Sequence, residues 1–146
     1  MTDSYVRERV RAAVMRGNGY AGRGQWDQAL RAYQSALEED TESVEARYQL
    51  AVCQARLGQN REARLVLEHA LANPEIRTAD RVRVLQLLGR ICLQGGDHAR
   101  ASQCFETVMD MTGTTGAPVL NQLAQVMCKS GNYERGFSLF YRAMQS

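Results

Sequence analysis

Three features of this sequence could bind a ligand or take part in a reaction: a glycine-rich run, four cysteines and two histidines. The glycine-rich run, Gly17 to Gly22, spells GxGxxG, which in a dinucleotide-binding fold follows a strand and opens a helix that receives a pyrophosphate. Here the preceding residues 5–15 are charged and amphipathic with helical spacing, and no βαβ unit follows. We therefore expect no dinucleotide site. We hypothesise that Gly22 leaves room for a ligand backbone, the alternative being a locally frayed helix.

The cysteines are widely spaced and form no CxxC pair: Cys53, Cys92, Cys104 and Cys128. Each falls in an apolar stretch with helical spacing, where a buried free thiol behaves as a small hydrophobic side chain. Four cysteines could form two disulfides, but disulfides need an oxidising compartment, and residues 1–14 lack the apolar core of a secretory signal. Neither histidine stands at zinc-ligand spacing from a cysteine pair. We expect a cytoplasmic protein with no metal and no cofactor.

No catalytic set is evident, because neither His69 nor His98 has a serine or cysteine partner placed by a motif. We therefore predict that the protein is not an enzyme and that both histidines are surface residues. The formal net charge is only +2, which gives no broad field of the kind that drives non-specific nucleic-acid binding. No uncharged stretch is apolar enough to cross a membrane.

A repeat with a period near 34 residues organises almost the whole chain. Its turn glycines are Gly24, Gly58, Gly96 and Gly131. A small residue follows each of them at the same distance: Ala29, Ala63, Ala101 and Gly136. Intervals of 34, 38 and 35 residues separate successive members of both sets. This period is typical of stacked helical hairpins, and glycine suits the turn because it adopts left-handed backbone angles without steric penalty.

The repeat resembles the tetratricopeptide repeat family, whose unit places a small residue in its first helix and alanine, an aromatic and alanine on its second. The first two units match at Gly17, Tyr20, Gly24, Trp26, Ala29, Tyr33 and Ala36, and at Leu50, Ala51, Gly58, Ala63, Leu67 and Ala70. The last two match at Leu88, Gly89, Gly96, Ala101 and Phe105, and at Leu123, Ala124, Gly131, Tyr133, Phe140 and Ala143. Gly136 and Val108 replace the family's alanines, and its proline is kept only as Pro74.

The resemblance implies an all-α fold, an α-solenoid of about four tetratricopeptide-type helical hairpins in a right-handed superhelix. We predict a single domain over residues 1–146, with units at about 4–43, 44–77, 78–115 and 116–146. The expected helices are 4–23, 26–38, 43–57, 60–72, 78–94, 97–111, 117–130 and 133–145, with no strands. Extra residues around 73–81 lengthen one connection, and the glycine- and threonine-rich stretch 112–116 forms another loop.

In the family, the first helices line a concave groove that binds a peptide or helix of a partner protein. Register places these residues on the lining: Arg11, Val14, Asn18, Gly22, Tyr48, Gln49, Val52, Arg56, Arg83, Gln86, Arg90, Gln94, Asn121, Gln122, Gln125 and Lys129. We take twelve of them as the binding set: Arg11, Asn18, Tyr48, Gln49, Val52, Arg56, Arg83, Gln86, Arg90, Asn121, Gln122 and Gln125. Carboxamides can pair with a peptide backbone and arginines with carboxylates.

We therefore predict an adaptor, scaffold or chaperone-like module that binds a protein segment carrying acidic residues. Helical-repeat RNA binding is a weaker hypothesis that rests on the same arginines. Every solenoid also needs a solvated inner face, so a lining residue can be merely exposed. Some family members clamp a C-terminal carboxylate, but Val14 and Leu87 stand where that clamp needs lysine and arginine, so we do not predict it here.

The end of the chain suggests an alternative function. Solenoids normally finish with a polar helix that covers the last hairpin, whereas this sequence stops at Ser146. We expect an exposed apolar patch there, formed by Phe137, Leu139, Tyr141 and Met144. The alternative is therefore a structural homo-oligomer that assembles through its C-terminal hairpin. Trp26 and Tyr133 follow turn glycines at equivalent positions, and we assign both to packing.

Overall fold

The computed structural model describes residues 2–113 and 117–145. Within these residues the chain forms helices and no strand. The helices are α1 (Thr2–Gly22), α2 (Trp26–Glu39), α3 (Val44–Arg56), α4 (Asn60–Ala72), α5 (Thr78–Gln94), α6 (His98–Thr112), α7 (Ala117–Lys129) and α8 (Tyr133–Gln145). The prediction of an all-α fold built from helical hairpins is confirmed, and the observed helix ends lie within about two residues of the expected ones.

Glycine turns join the two helices of each hairpin, as the repeat predicts. Gly24, Gly58, Gly96 and Gly131 have φ angles of +76°, +81°, +86° and +91°. The first turn is closed by backbone hydrogen bonds from Gly24 N–H to the carbonyl of Ala21, 3.0 Å, and from Gln25 N–H to the carbonyl of Tyr20, 2.9 Å. A further left-handed glycine, Gly113, follows α6, with φ +63°. Residues 114–116 of the predicted loop lie outside the described residues.

Contacts between helices divide the chain into two compact units, Met1–Ile76 and Arg77–Ser146. In the first unit α1 pairs with α2 and α3 with α4, while α3 also contacts α2 and α1. In the second unit α5 pairs with α6 and α7 with α8, and α6 packs against α7. The division falls next to the expected boundary between the second and third repeats. A single domain over residues 1–146 stays a prediction.

The small residues of the repeat are fully buried between the helices. Ala29, Ala63 and Ala101 have no exposed surface, in agreement with their place in the repeat. The largest buried side chains stand four residues after them and fill the space between the helices: Tyr33, Leu67 and Phe105. In each of the first three hairpins, the core therefore includes a fully buried alanine and one large side chain four residues after it.

The thiols belong to this core. Cys53, Cys92 and Cys104 are buried, Cys128 is half-buried, and none of these four described thiols forms a disulfide. Burial raises the pKa of the Cys53 thiol to about 11, so it stays protonated near neutral pH. The prediction of free thiols packed as small hydrophobic groups is confirmed, with Cys128 only partly covered.

The two histidines differ in environment. His69 is exposed on α4, and its Nε2 lies 4.0 Å from a carboxylate oxygen of Glu42, as expected for a surface residue. His98 is half-buried at the start of α6, and its Nδ1 atom is buried without a hydrogen-bond partner in the described part of the chain. His98 is therefore only partly at the surface, unlike His69.

Candidate functional site

A row of exposed residues runs along α1 beside the helix side that packs in the core. Arg11, Met15, Asn18 and Gly22 are spaced four, three and four residues apart, which places them on one side of a helix. All four are exposed, and we call them the α1 row. A Cβ atom built on Gly22 would meet nothing within 4 Å, so the surface beside it is open. The hypothesis that a ligand backbone approaches there requires this open surface.

Asn18 in the α1 row is held in place by the core. The buried Tyr33 hydroxyl donates a hydrogen bond to Asn18 Oδ1 at 2.5 Å. Burial raises the pKa of Tyr33 to about 12, so the phenol remains a donor at neutral pH. The amide nitrogen of Asn18 has no partner within the described residues, so it can donate to a bound peptide.

A second row with the same spacing lies on α3: Glu45, Gln49, Val52 and Arg56. Gln49 Nε2 donates to Glu45 Oε1 at 3.1 Å, and Val52 is half-buried between polar neighbours. The Arg56 guanidinium carbon lies 5.3 Å from the centre of the Trp26 ring, a cation–π contact that reduces its freedom. We call these residues the α3 row, and α1 and α3 are in contact.

In the second unit, α5 carries arginines with different surroundings. The nearest Arg83 guanidinium nitrogen lies 3.8 Å from an Asp80 oxygen, which partly neutralises that arginine. Arg90 is exposed, and it has no ion pair or hydrogen bond within the described part of the chain. Arg90 is therefore an available cation on this helix.

Helix α7 adds amides and one further cation. Its sequence contains no acidic residue. Asn121 and Gln125 are exposed, and Gln122 is half-buried. Lys129 is exposed, and among the residues that the structure describes it has no partner. The first helices of the second unit thus present amides and positive charge, with Asp80 as their one carboxylate.

All twelve residues of the predicted binding set are accessible. Those exposed are Arg11, Asn18, Arg56, Arg90, Asn121 and Gln125, and those half-buried are Tyr48, Gln49, Val52, Arg83, Gln86 and Gln122. The structure places six of them in each unit. Their part in binding stays a prediction.

Among the predicted lining residues outside the binding set, one is buried, and two exposed residues that were not predicted lie in the α1 and α3 rows. Val14 is only 8% exposed, because it belongs to the core cluster of the first unit. Sequence reasoning missed Met15, which is 64% exposed in the α1 row, and Glu45 in the α3 row. Helical spacing could have identified both residues, because Met15 stands four residues after Arg11 and Glu45 stands four residues before Gln49.

A separate apolar surface lies on α8. Tyr133, Phe137, Tyr141 and Met144 are 59%, 63%, 62% and 82% exposed. We call these four residues the α8 stripe. Leu139 was expected to belong to this patch and does not, since it is 5% exposed. It shares the packed side of α8 with Gly136 and Ala143, three before and four after it.

The two aromatic residues that follow turn glycines also differ. Trp26 is half-buried and packs against the core cluster of the first unit, which confirms its packing role. Tyr133 is exposed, so its assignment to packing is wrong. Its ring stacks on Phe137 with 6.4 Å between ring centres. Arg56 of the next hairpin covers Trp26, whereas no such neighbour covers Tyr133 in the described residues.

Among residues 2–113 and 117–145, no group of three or more histidine, cysteine, aspartate or glutamate side chains is arranged to hold a metal ion. None of the described helices combines the length and apolar character needed to cross a bilayer.

Comparison with known proteins gives two family matches. One tetratricopeptide repeat model matches residues 20–75, and a second tetratricopeptide repeat model matches residues 82–114. Together they cover parts of both units. No curated protein sequence matches this chain.

Solved structures share the fold at low sequence identity. A crystal structure of MamA is 17% identical, with a TM-score of 0.81 over 99% of this chain and 83% of that one. The structure of YrrB, titled a TPR protein with an unusual peptide-binding site, is 20% identical, with a TM-score of 0.76 over 93% of this chain and 68% of that one. The first TPR domain of human RPAP3 is 17% identical, with a TM-score of 0.74 over 86% of this chain and 95% of that one.

Proposed function

This chain belongs to the tetratricopeptide repeat family, and from that premise we propose that its first helices bind an extended peptide segment carrying acidic residues. The family's repeats support a protein–protein interaction module and generally do no catalysis. The YrrB title names a peptide-binding site in that protein, and we extend peptide binding to this chain as part of the proposal.

The observation that carries the proposal is the exposed, unpaired guanidinium of Arg90. An arginine in this state can bind a peptide carboxylate through two parallel hydrogen bonds without first breaking an ion pair. Lys129 adds a second unpaired cation, and the acid-free sequence of α7 removes a source of repulsion. These features favour a ligand with aspartate or glutamate side chains.

Amide side chains supply the rest of the polar contact in the second unit. Gln86, Gln122 and Gln125 each offer a donor and an acceptor, which suits the N–H and C=O groups of an extended peptide backbone. Carboxamides bind backbone of any sequence. We infer that the cations select acidic peptides, while the amides contribute affinity with little sequence preference.

The first unit offers the same kinds of group together with apolar contacts. Arg11 is exposed and has no partner in the described residues, and the Asn18 amide nitrogen is available beside it. Met15 and Val52 provide apolar surface for a peptide side chain, and a methionine can adapt to several shapes. This combination favours a ligand that mixes acidic residues with an apolar one.

Binding of single-stranded RNA is less well supported. Proteins that bind single-stranded RNA stack bases on exposed aromatic rings, and Tyr48 is the one aromatic residue of the binding set and is half-buried. The net charge of +2 also provides little attraction for a phosphate backbone. Arginines surrounded by amides suit carboxylates on a peptide better.

Peptide phage display on the full chain tests the proposal. We expect the selected peptides to be enriched in aspartate and glutamate. Replacing Arg90 by glutamate should weaken their binding about 10- to 100-fold, the effect of losing a charge-assisted hydrogen bond of about 1.5–3 kcal/mol. Fluorescence anisotropy with a labelled selected peptide measures this change.

A matched control makes the same charge change elsewhere. Arg61 is an exposed arginine in the first turn of α4, where a glutamate suits the helix dipole, so Arg61→Glu should fold and bind normally. Selected peptides without acidic residues, or equal binding by the Arg90→Glu and Arg61→Glu proteins, would contradict the proposal.

A further inference from the structure

The α8 stripe occupies one side of its helix. Its members stand four, four and three residues apart, which confines them to roughly 80° around the helix axis and about 17 Å along it. In the described part of the chain α7 packs on the opposite side, against Gly136 and Leu139. The stripe is therefore an uncovered apolar surface on a helix whose packed side consists of Gly136, Leu139 and Ala143.

No charged side chain interrupts the stripe. Arg135 and Arg142 lie on another side of α8, where they line a cleft of about 420 Å³ with Glu106 and Asp110 of α6. Arg135 is paired there with Glu106 at 3.2 Å. The four side chains of the stripe carry no formal charge, so removing them from water does not incur the desolvation cost of a buried ion.

We propose that the α8 stripe is the contact between two copies of this chain, in which α8 of one copy lies antiparallel to α8 of the other. This proposal is independent of peptide binding by the first helices. A fully exposed aromatic or methionine side chain presents roughly 200 Å², so the stripe offers on the order of 500 Å² per copy. Two copies would bury about 1,000 Å² through the stripe alone, which reaches the lower limit for a specific interface.

The composition of the stripe favours a second copy as the occupant. Its two ends differ, because Tyr133 and Phe137 stack at the start of the helix and Met144 lies near its end. Antiparallel pairing brings Met144 of each copy against Tyr133 of the other, and a thioether packs well on an aromatic ring. Phe137 then meets Tyr141 of the second copy near the centre of the contact.

Polar side chains at the edge of the stripe favour the antiparallel arrangement. Glu134 borders the stripe at its start, and Gln145 borders the same edge at its end. Antiparallel pairing places each Glu134 carboxylate beside the Gln145 amide of the second copy, which can donate a hydrogen bond to it. Parallel pairing would instead put the Glu134 edge of one helix and the Glu134 edge of the other on opposite sides of the contact, so that Glu134 and Gln145 could not meet, and it would align the helix dipoles.

The dimer would change how the protein engages its ligands. Each assembly would carry two sets of first-helix faces, so a partner with two acidic segments could bind both. Linking two binding events in this way raises overall affinity by 10²–10⁴-fold when the geometry permits both at once.

Sedimentation equilibrium on the full chain tests self-association. We expect a concentration-dependent dimer, and we expect Phe137→Asp to weaken it at least tenfold, since an aspartate in the stripe would be buried without a partner. Tyr5→Asp is the matched control, because Tyr5 is also 62% exposed but lies on α1. Unchanged far-ultraviolet circular dichroism shows that each variant folds. A wild-type chain that stays monomeric at its highest soluble concentration would overturn the proposal, and so would a dimer that Phe137→Asp leaves intact.

Disulfide crosslinking tests the orientation. In a Cys128→Ser background, which removes the partly exposed thiol, one population carries Tyr133→Cys and another Met144→Cys. We expect mild oxidation of the mixture to give mainly crosslinks between the two populations. A dimer in which each variant instead crosslinks to itself would overturn the antiparallel arrangement and leave self-association standing.

Discussion

The ring of Tyr33 on α2 lies against the backbone of Gly17 on α1, so closely that a Cβ atom at residue 17 would lie 2.5 Å from Tyr33 Cε1. Tyr33 is 1% exposed and therefore has no room to retreat. The third hairpin repeats the arrangement, since a Cβ at Gly89 would lie 2.7 Å from Phe105. In the second hairpin, the residues at the same spacing are Ala51 and Leu67. There the glycine is replaced by the larger alanine, and the aromatic ring by the smaller leucine side chain.

Gly17→Ala should therefore destabilise the protein. Overpacking costs about 1–3 kcal/mol, and the better helix propensity of alanine returns at most about 1 kcal/mol. Adding Tyr33→Leu should recover part of the loss, because it recreates the pair found at Ala51 and Leu67. Urea denaturation measures the free energy of unfolding of each variant.

Gly19→Ala is the control for that series, since a Cβ at Gly19 would meet nothing within 4 Å. It should stabilise the protein by about 0.5–1 kcal/mol through helix propensity alone. Equal effects of the two alanine substitutions would contradict the close packing of Gly17 and Tyr33.

Gly136 and Cys128 form a second such pair. A Cβ at Gly136 would overlap the Cys128 sulfur and approach the Ala124 carbonyl oxygen to 3.1 Å. Gly136→Ala should lower the midpoint of thermal unfolding, and Cys128→Ala should partly restore it by removing the sulfur. The first two repeats carry alanine at both corresponding positions, which shows that the paired change suits the fold. Additive effects of the two substitutions would argue against this contact.

Alkaline pH should destabilise the first unit. Burial, with smaller contributions from Cys53 and Glu45, raises the pKa of Tyr33 from 10.0 to about 12. Burial also raises the pKa of Cys53 from 9.0 to about 11. Because the unfolded chain loses these protons first, their stabilising contribution is complete below about pH 9 and declines as pH rises to 12.

Denaturation at a series of pH values checks this dependence. Tyr33→Phe should reduce the decline above pH 10, while costing about 1 kcal/mol near neutral pH for the lost hydrogen bond to Asn18. If Tyr33→Phe leaves the alkaline decline unchanged, another group causes it.

The helix caps offer a stabilising substitution. Asp97 caps α6 by accepting a hydrogen bond from Arg100 N–H at 3.1 Å, with φ −85° and ψ 77°. Gln59 precedes α4 with nearly the same backbone, φ −91° and ψ 60°, and makes no side-chain cap. Gln59→Asp should therefore add about 1 kcal/mol to the free energy of unfolding, whereas Gln59→Ala should add none. Equal stability of the two variants would contradict the comparison with Asp97.

Local signals allowed the helices to be predicted. Turn glycines at a regular period marked the hairpins, because glycine at left-handed angles ends a helix whatever surrounds it. The burial of Leu139 could also have been predicted, because Gly136, Leu139 and Ala143 have the spacing of one packed helix side. Counting Leu139 with the exposed residues ignored that spacing.

Contacts between helices could not be predicted in the same way. The sequence places Asn18 and Tyr33 on different helices, and only the fold brings the hydroxyl to the amide oxygen. The same holds for Arg56 above Trp26. The pairing of Arg83 with Asp80 is local, and its spacing of three residues on one helix could have been used. Which arginines remain available thus depends largely on tertiary structure.

The most direct test of the binding face is an amide ¹⁵N–¹H chemical-shift map recorded while a phage-selected acidic peptide is added to the full chain. We expect the largest shifts along α5 and α7, at Arg90, Gln125 and their neighbours, with smaller changes in α6 and α8. Shifts concentrated on α6 or on the α8 stripe, with α5 and α7 unaffected, would contradict the account.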